Sequence, residues 1–157
     1  MAILLKTDRM STYTQTLYQI VFSTKYRTPS LDFEGRTELF KDMWGILKNH
    51  KCHLYRINGI EDHIHIITSL HSSISLANLV KDLKLGSSSF IKEKGLFPKF
   101  NGWQEGYSAF TYSQDARDNL IEYVKNQEEH HKKVSFREEL ISLLMEHGIE
   151  FDEKYLE

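Results

Sequence analysis

The chain has 157 residues, 40% of them apolar and 12% aromatic, which is enough for one packed domain and excludes a disordered chain. Its 20 Lys and Arg against 22 Asp and Glu give a formal net charge of −2; this excludes a uniformly basic nucleic-acid coat and confines any phosphate contact to a local patch. The lone Cys52 excludes an internal disulfide and a four-cysteine zinc site and points to a reducing, cytoplasmic setting, and no apolar run is long enough to span a bilayer.

In chain order, residues 1–10 hold a short apolar stretch, Ile3–Leu5, followed by Lys6, Asp8 and Arg9, and read as a flexible N-terminal extension to a single domain over 11–157. The Tyr, Thr, Val and Ile content of Thr12–Ser23 predicts a strand, and Thr28-Pro29-Ser30 a break. Phe40, Met43, Trp44 and Leu47 recur at helical spacing within residues 32–49. Two strands follow, Cys52–Asn58 and His63–Ser69, joined by a hairpin turn over residues 59–62. Leu76, Leu79, Val80 and Leu83 predict a second helix that Ser75 caps and Gly95 ends. Gly86 inside it costs up to ~1 kcal/mol relative to alanine, so a kink or a close contact is expected there.

Tyr107–Ser113 reads as a fourth strand, and Asp115–His131 as a helix with Ala116, Leu120 and Val124 on one face. A last helix opens on the capping box Ser135-Phe136-Arg137-Glu138, carries Phe136, Leu140, Leu143 and Leu144 on its core face, and stops at Gly148. The order β-α-β-β-α-β plus two helices predicts an α+β, ferredoxin-like (split β-α-β) fold: an antiparallel sheet with helices on one face and the other face open for a ligand or partner.

The sharpest chemical feature is His63-Ile64-His65. Side chains alternate along a strand, so the two imidazoles share a face and form a candidate metal-ligand pair, against the plainer reading of two surface histidines. Tyr123 and Gln127, four apart in a helix, are neighbours on one face, with Asn119 and His130 on the same flank. Tyr123 is a candidate nucleophile and Gln127 a candidate metal ligand through its carbonyl oxygen; the competing reading is a rim-of-core aromatic beside a solvated amide. Tyr107 and Tyr112 are rival nucleophiles, but only Tyr123 has an amide one turn away. His130-His131 is a candidate extra ligand pair, against the plainer reading of a frayed helix end. Lys25, Arg27, Lys132 and Lys133 near element ends, and Lys84 in a stripe with Lys81 and Lys92, are candidate phosphate contacts; a solvated helix face is the competing reading of the stripe. Trp103, with Tyr26, Tyr107 and Tyr112, is a candidate for stacking on unpaired bases, against the commoner fate of a buried or half-buried aromatic.

Several stretches together resemble one family. They are Val21-Phe22-Ser23-Thr24-Lys25-Tyr26-Arg27, Ile57-Asn58-Gly59-Ile60-Glu61-Asp62-His63-Ile64-His65, Leu83-Lys84-Leu85-Gly86-Ser87-Ser88, Trp103-Gln104-Glu105-Gly106-Tyr107-Ser108-Ala109-Phe110 and Tyr123-Val124-Lys125-Asn126-Gln127-Glu128-Glu129-His130-His131. In this order they are similar to single-tyrosine HUH transposases of bacterial insertion sequences. The resemblance implies that His63, His65 and Gln127 bind a divalent metal, Mg²⁺ or Mn²⁺. It implies that Tyr123 attacks single-stranded DNA to leave a 5′-phosphotyrosine link and a free 3′-hydroxyl, so that strands at element ends are cleaved and rejoined. It also implies recognition of DNA hairpins, and a homodimer in which the tyrosine helix can complete the partner's active site. Two imidazoles are a soft set for magnesium and favour manganese. The competing expectation is a catalytically silent, ferredoxin-like hairpin-binding protein.

Overall fold

The computed structural model describes residues 11–156; the extension expected at 1–10 lies outside the described residues. Four strands, β1 (Tyr18–Ser23), β2 (Leu54–Gly59), β3 (His63–Thr68) and β4 (Ser108–Thr111), form one antiparallel sheet in the order β2-β3-β1-β4. Helices α1 (Phe33–Asn49) and α2 (Leu76–Lys94) sit in the two crossovers, giving the split β-α-β arrangement.

Alternation along the two central strands divides the molecule. Ile20 and Phe22 of β1 and Ile64 and Ile66 of β3 are fully buried against Leu39, Met43 and Leu47 of α1 and Leu79, Val80 and Leu83 of α2. The Ser75 hydroxyl accepts from the Asn78 amide, and Gly95 takes the left-handed conformation that ends α2. A side chain at Gly86 would meet the Ile46 Cδ1 atom at 2.7 Å, so this glycine serves close packing of α2 on α1. Trp44, expected in the α1 stripe, is instead 53% exposed.

The other sheet face is not open. It presents Leu17, Val21 and Ile67 beside Gln19, His63 and His65, and a half-apolar face must be covered. Helix α3 (Arg117–Lys125) packs Leu120 and Val124 on Leu17 and Ile67. Helix α5 (Phe136–Glu146) packs Phe136, Leu140, Leu143 and Leu144 on Val21 and Phe110. Both imidazoles therefore lie under the C-terminal helices.

Two boundaries differ from expectation for physical reasons. Regular pairing of β1 begins only at Tyr18, because its partner β3 ends opposite it at Thr68. The single helix expected over Asp115–His131 breaks at Asn126, leaving α3 and a short α4 (Gln127–His130). Asn58 on β2 donates its amide to the Val124 and Lys125 carbonyls, at 3.1 Å each, and draws them out of the helical ladder.

Gly59 fixes the hairpin that carries His63. A Cβ there would lie 2.4 Å from the His63 carbonyl oxygen, a backbone atom that cannot move aside without shifting the strand. Gly59→Ala should destabilise the fold by about 2 kcal/mol, seen as a lower urea midpoint with an unchanged slope.

Candidate metal centre and nucleophile

His63 and His65 point to the same face of β3, with ring centroids 5.2 Å apart, and neither is exposed. Each ring has a fixed partner behind it. His63 Nδ1 lies 2.7 Å from the Asp62 carboxylate, so this nitrogen carries the proton and Nε2 looks into the site. Gln19, itself fully buried, meets His65 Nδ1 at 3.0 Å and accepts from the Tyr112 hydroxyl at 2.8 Å.

Two residues outside the expected ligand set of His63, His65 and Gln127 complete the cluster. His131 donates from Nδ1 to the Val134 carbonyl at 2.7 Å, which turns its Nε2 inward to 3.1 Å from His63 Nε2. It is thus part of the site, not a frayed helix end. Glu139 of α5 is 2% exposed. Its Oε1 lies 2.8 Å from His65 Nε2, 3.1 Å from His131 Nε2 and 3.3 Å from His63 Nε2. Phe136, three residues earlier, stacks on the His63 ring at 4.0 Å. The four ligand atoms of His63, His65, His131 and Glu139 all lie within 4.8 Å of one another, a group that could hold a metal ion. The set fits a divalent cation: with both Nδ1 protons committed to acceptor-only groups, the Nε2 lone pairs of His63 and His131 face each other and call for positive charge between them.

Tyr123 and Gln127 converge on the same carboxylate across the α3–α4 break. The Tyr123 hydroxyl donates to Glu139 Oε2, and Gln127, fully buried, donates to the same oxygen at 3.1 Å while its carbonyl lies 2.9 Å from His131 Nε2. The Tyr123 ring centroid is 5.8 Å from that of His65 in the same chain. His130 Nε2 is 3.2 Å from Glu139 Oε2 but makes no aligned hydrogen bond. A cleft of about 550 Å³, lined by Asn119, Tyr123, His130 and Glu139 among others, opens onto the phenol.

The electrostatics follow from burial around one acid. Burial alone would raise the Glu139 pKa, but the imidazoles of His131, His63 and His65, wherever they carry a proton on the nitrogen facing it, hold it far below the usual carboxylate range. Burial works against a charged His63 ring, yet Asp62 and Glu139 outweigh it and raise its pKa. His65 faces one carboxylate and a neutral amide, so burial wins and brings its pKa down to about 4. Burial and the Glu139 charge push the Tyr123 phenol well above its ordinary value.

Residues 12–127 match the family described as Transposase IS200 like. The chain belongs to the IS200-like transposase family. No curated protein matches this transposase at a significant level. Among solved structures it is similar to a candidate transposase from Deinococcus radiodurans, with 23% identity, a TM-score of 0.56, and coverage of 76% of this chain and 97% of that one. It is also similar to a REP-associated tyrosine transposase bound to a REP hairpin, with 15% identity, a TM-score of 0.58, and coverage of 80% and 76%. These likenesses agree in fold. The family match ends at Gln127, so His131 and Glu139 lie beyond it.

The candidate DNA contacts of the transposase divide into free and occupied groups. Lys25, Lys132 and Lys133 are exposed, Lys132 pairing with Glu129 at 2.8 Å. Arg27 donates to the Leu156 carbonyl and lies 5.2 Å over the Phe136 ring. Two expectations need correction. Trp103 is buried, in edge contact with Phe22 and Phe100, and donates its indole N–H to Ser87 Oγ at 2.9 Å, so its ring offers no face to a base. The Lys84 ammonium is spent on the Gln104 and Gly106 carbonyls and half-buried; burial lowers its pKa.

Glu139 escaped sequence reasoning because the capping box drew attention to its neighbour Glu138. One signal was present: at three residues after Phe136 and four before Leu143, it puts a charge on the apolar face of α5. His65 makes the site's pH dependence testable in chelator-treated protein. Folded, it stays neutral down to about pH 4, whereas unfolded it gains a proton near its ordinary 6.5. Stability from this group is therefore present above pH 6.5 and lost as pH falls toward 4. His63, with its raised pKa, acts in the opposite sense. Between pH 6.5 and 4.5 the wild type should lose about 2 kcal/mol more than His65→Gln in urea unfolding.

Proposed function

We propose that this transposase cleaves and rejoins single-stranded DNA at insertion-sequence ends through a 5′-phosphotyrosine intermediate on Tyr123. The observation that carries the reading is the meeting of the Tyr123 hydroxyl with the buried histidine cluster, through Glu139, within one chain. The Tyr123 oxygen attacks the phosphorus, the bond from phosphorus to the 3′ oxygen breaks, and that oxygen leaves with a proton as the 3′-hydroxyl. The phosphotyrosine keeps the bond energy, so the reverse attack by a 3′-hydroxyl rejoins strands without ATP.

His63 and His65, with Gln127 as the third donor implied by the resemblance, hold a divalent cation, Mg²⁺ or Mn²⁺. When bound, it polarises the phosphate and offsets charge developing there. Glu139 and Gln127 aim the phenol, and the neighbouring cleft gives the DNA backbone a way in. Lys25, Lys132 and Lys133 supply the local positive charge that the overall balance does not. Binding of DNA hairpins is supported by the fold shared with the REP-bound relative. Assembly as a homodimer and a cytoplasmic location are further parts of the reading; among the described residues no helix is long and apolar enough to cross a membrane.

Labelled single-stranded end DNA incubated with the protein and Mn²⁺ should give a covalent adduct on a denaturing gel. Tyr123→Phe should remove it entirely, and His63→Ala should reduce it by at least about a hundredfold, with hairpin binding kept in both. An adduct that persists in Tyr123→Phe would move the nucleophile elsewhere. Hairpin binding with no adduct from the wild type would favour the silent DNA-binding reading.

A further inference from the structure

We infer that the cation's donor set is completed by His131 and Glu139, so that the C-terminal segment beyond the family match is clamped onto the catalytic sheet by the metal itself. The inference rests on the metal-dependent reading above and specifies its ligands.

Three observations carry it. The first is a cage of acceptors. With Nδ1 protonated toward the Val134 carbonyl, His131 Nε2 is an acceptor, yet it faces His63 Nε2 at 3.1 Å, the Gln127 carbonyl oxygen at 2.9 Å and Glu139 Oε1 at 3.1 Å. His63 Nε2, its own proton committed to Asp62, faces Glu139 Oε1 at 3.3 Å. Acceptors gathered this closely repel unless a cation or a proton lies among them.

The second is charge. A dication held by two neutral imidazoles and a carboxamide keeps its full charge in a fully buried site, which is costly. Glu139, 2% exposed, is the carboxylate that touches all three inward-facing Nε2 atoms and supplies the compensation.

The third is a donor that can adopt the state the metal needs. Ligation through His65 Nε2 requires its proton on Nδ1, where the Gln19 amide now sits at 3.0 Å. The Tyr112 hydroxyl on the far side of that amide can either donate or accept. A half-turn of the Gln19 amide therefore lets the His65 proton sit on Nδ1, keeps Gln19 hydrogen-bonded to both His65 and Tyr112, and leaves the His65 Nε2 lone pair free for the cation.

Two consequences follow. Three imidazoles and one carboxylate suit Mn²⁺, Co²⁺ or Zn²⁺ and do not suit Mg²⁺, which prefers oxygen ligands. And because Glu139 reaches the Tyr123 hydroxyl through Oε2 while Oε1 faces the imidazoles, cation binding and nucleophile placement share one side chain.

The test is calorimetric titration of the full chain with Mn²⁺, Co²⁺ and Mg²⁺ without DNA, with Co²⁺ binding also followed by its visible absorption. Hydrogen exchange of α5 with and without Mn²⁺ is the second measurement. Wild type should bind Mn²⁺ and Co²⁺ at least tenfold more tightly than Mg²⁺. Glu139→Gln, close to isosteric, and His131→Ala should each weaken Mn²⁺ at least tenfold and change the Co²⁺ spectrum. Mn²⁺ should slow exchange across Phe136–Glu146 in the wild type, which needs no variant to fold. If both variants bind as wild type does and α5 exchange ignores the metal, while His63→Ala abolishes binding, the inference is overturned and the histidine-pair reading stands. If the wild type binds no metal through His63, both are overturned.

Discussion

One buried carboxylate organises the functional half of the molecule. Glu139 accepts from the Tyr123 phenol and the Gln127 amide on one oxygen and faces three imidazoles with the other. An isolated carboxylate would not be tolerated at that depth; surrounded by these partners it stays ionised and fixes their positions. Because it sits on α5, the docking of Phe136, Leu140 and Leu143 on Val21 and Phe110 belongs to the same construction. Packing of the last helix and assembly of the site are thus one event.

The sheet supplies the other half by alternation. Residues of β1 and β3 alternate between the α1–α2 core and the face under the C-terminal helices, so Ile64 and Ile66 anchor the strand that presents His63 and His65. The hairpin turn at Gly59 sets where His63 emerges, and Asp62 orients its ring. Asn58, one residue before that turn, breaks the C-terminal helix and lets Tyr123 and Gln127 approach from two separate helices. A short stretch of β2 and its turn therefore governs both the strand that carries His63 and His65 and the helix that carries Tyr123.

Much of this was legible in the sequence, and the rest was hidden for identifiable reasons. The order of elements, the caps at Ser75, Gly95 and Ser135, and the shared face of His63 and His65 all follow from local rules of spacing and capping. Tyr123 and Gln127 were found through helical spacing that the chain keeps only approximately, since a tertiary hydrogen bond from Asn58 splits the helix. The closed second face was not foreseen: the apolar content of α3 and α5 was plain, but nothing local says which surface they cover. His131 and Glu139 depend on that same long-range choice. Trp103 and Lys84 looked like DNA contacts because composition cannot reveal that Ser87 and two loop carbonyls already engage them.

The central claim is that Tyr123 forms the covalent link to DNA. Proteolysis of a trapped protein–DNA adduct, followed by mass spectrometry of the nucleotide-bearing peptide, tests it most directly. The account predicts a phosphonucleotide on the peptide containing Tyr123, located to that side chain by fragmentation. A nucleotide found instead on Tyr107 or Tyr112 would contradict it.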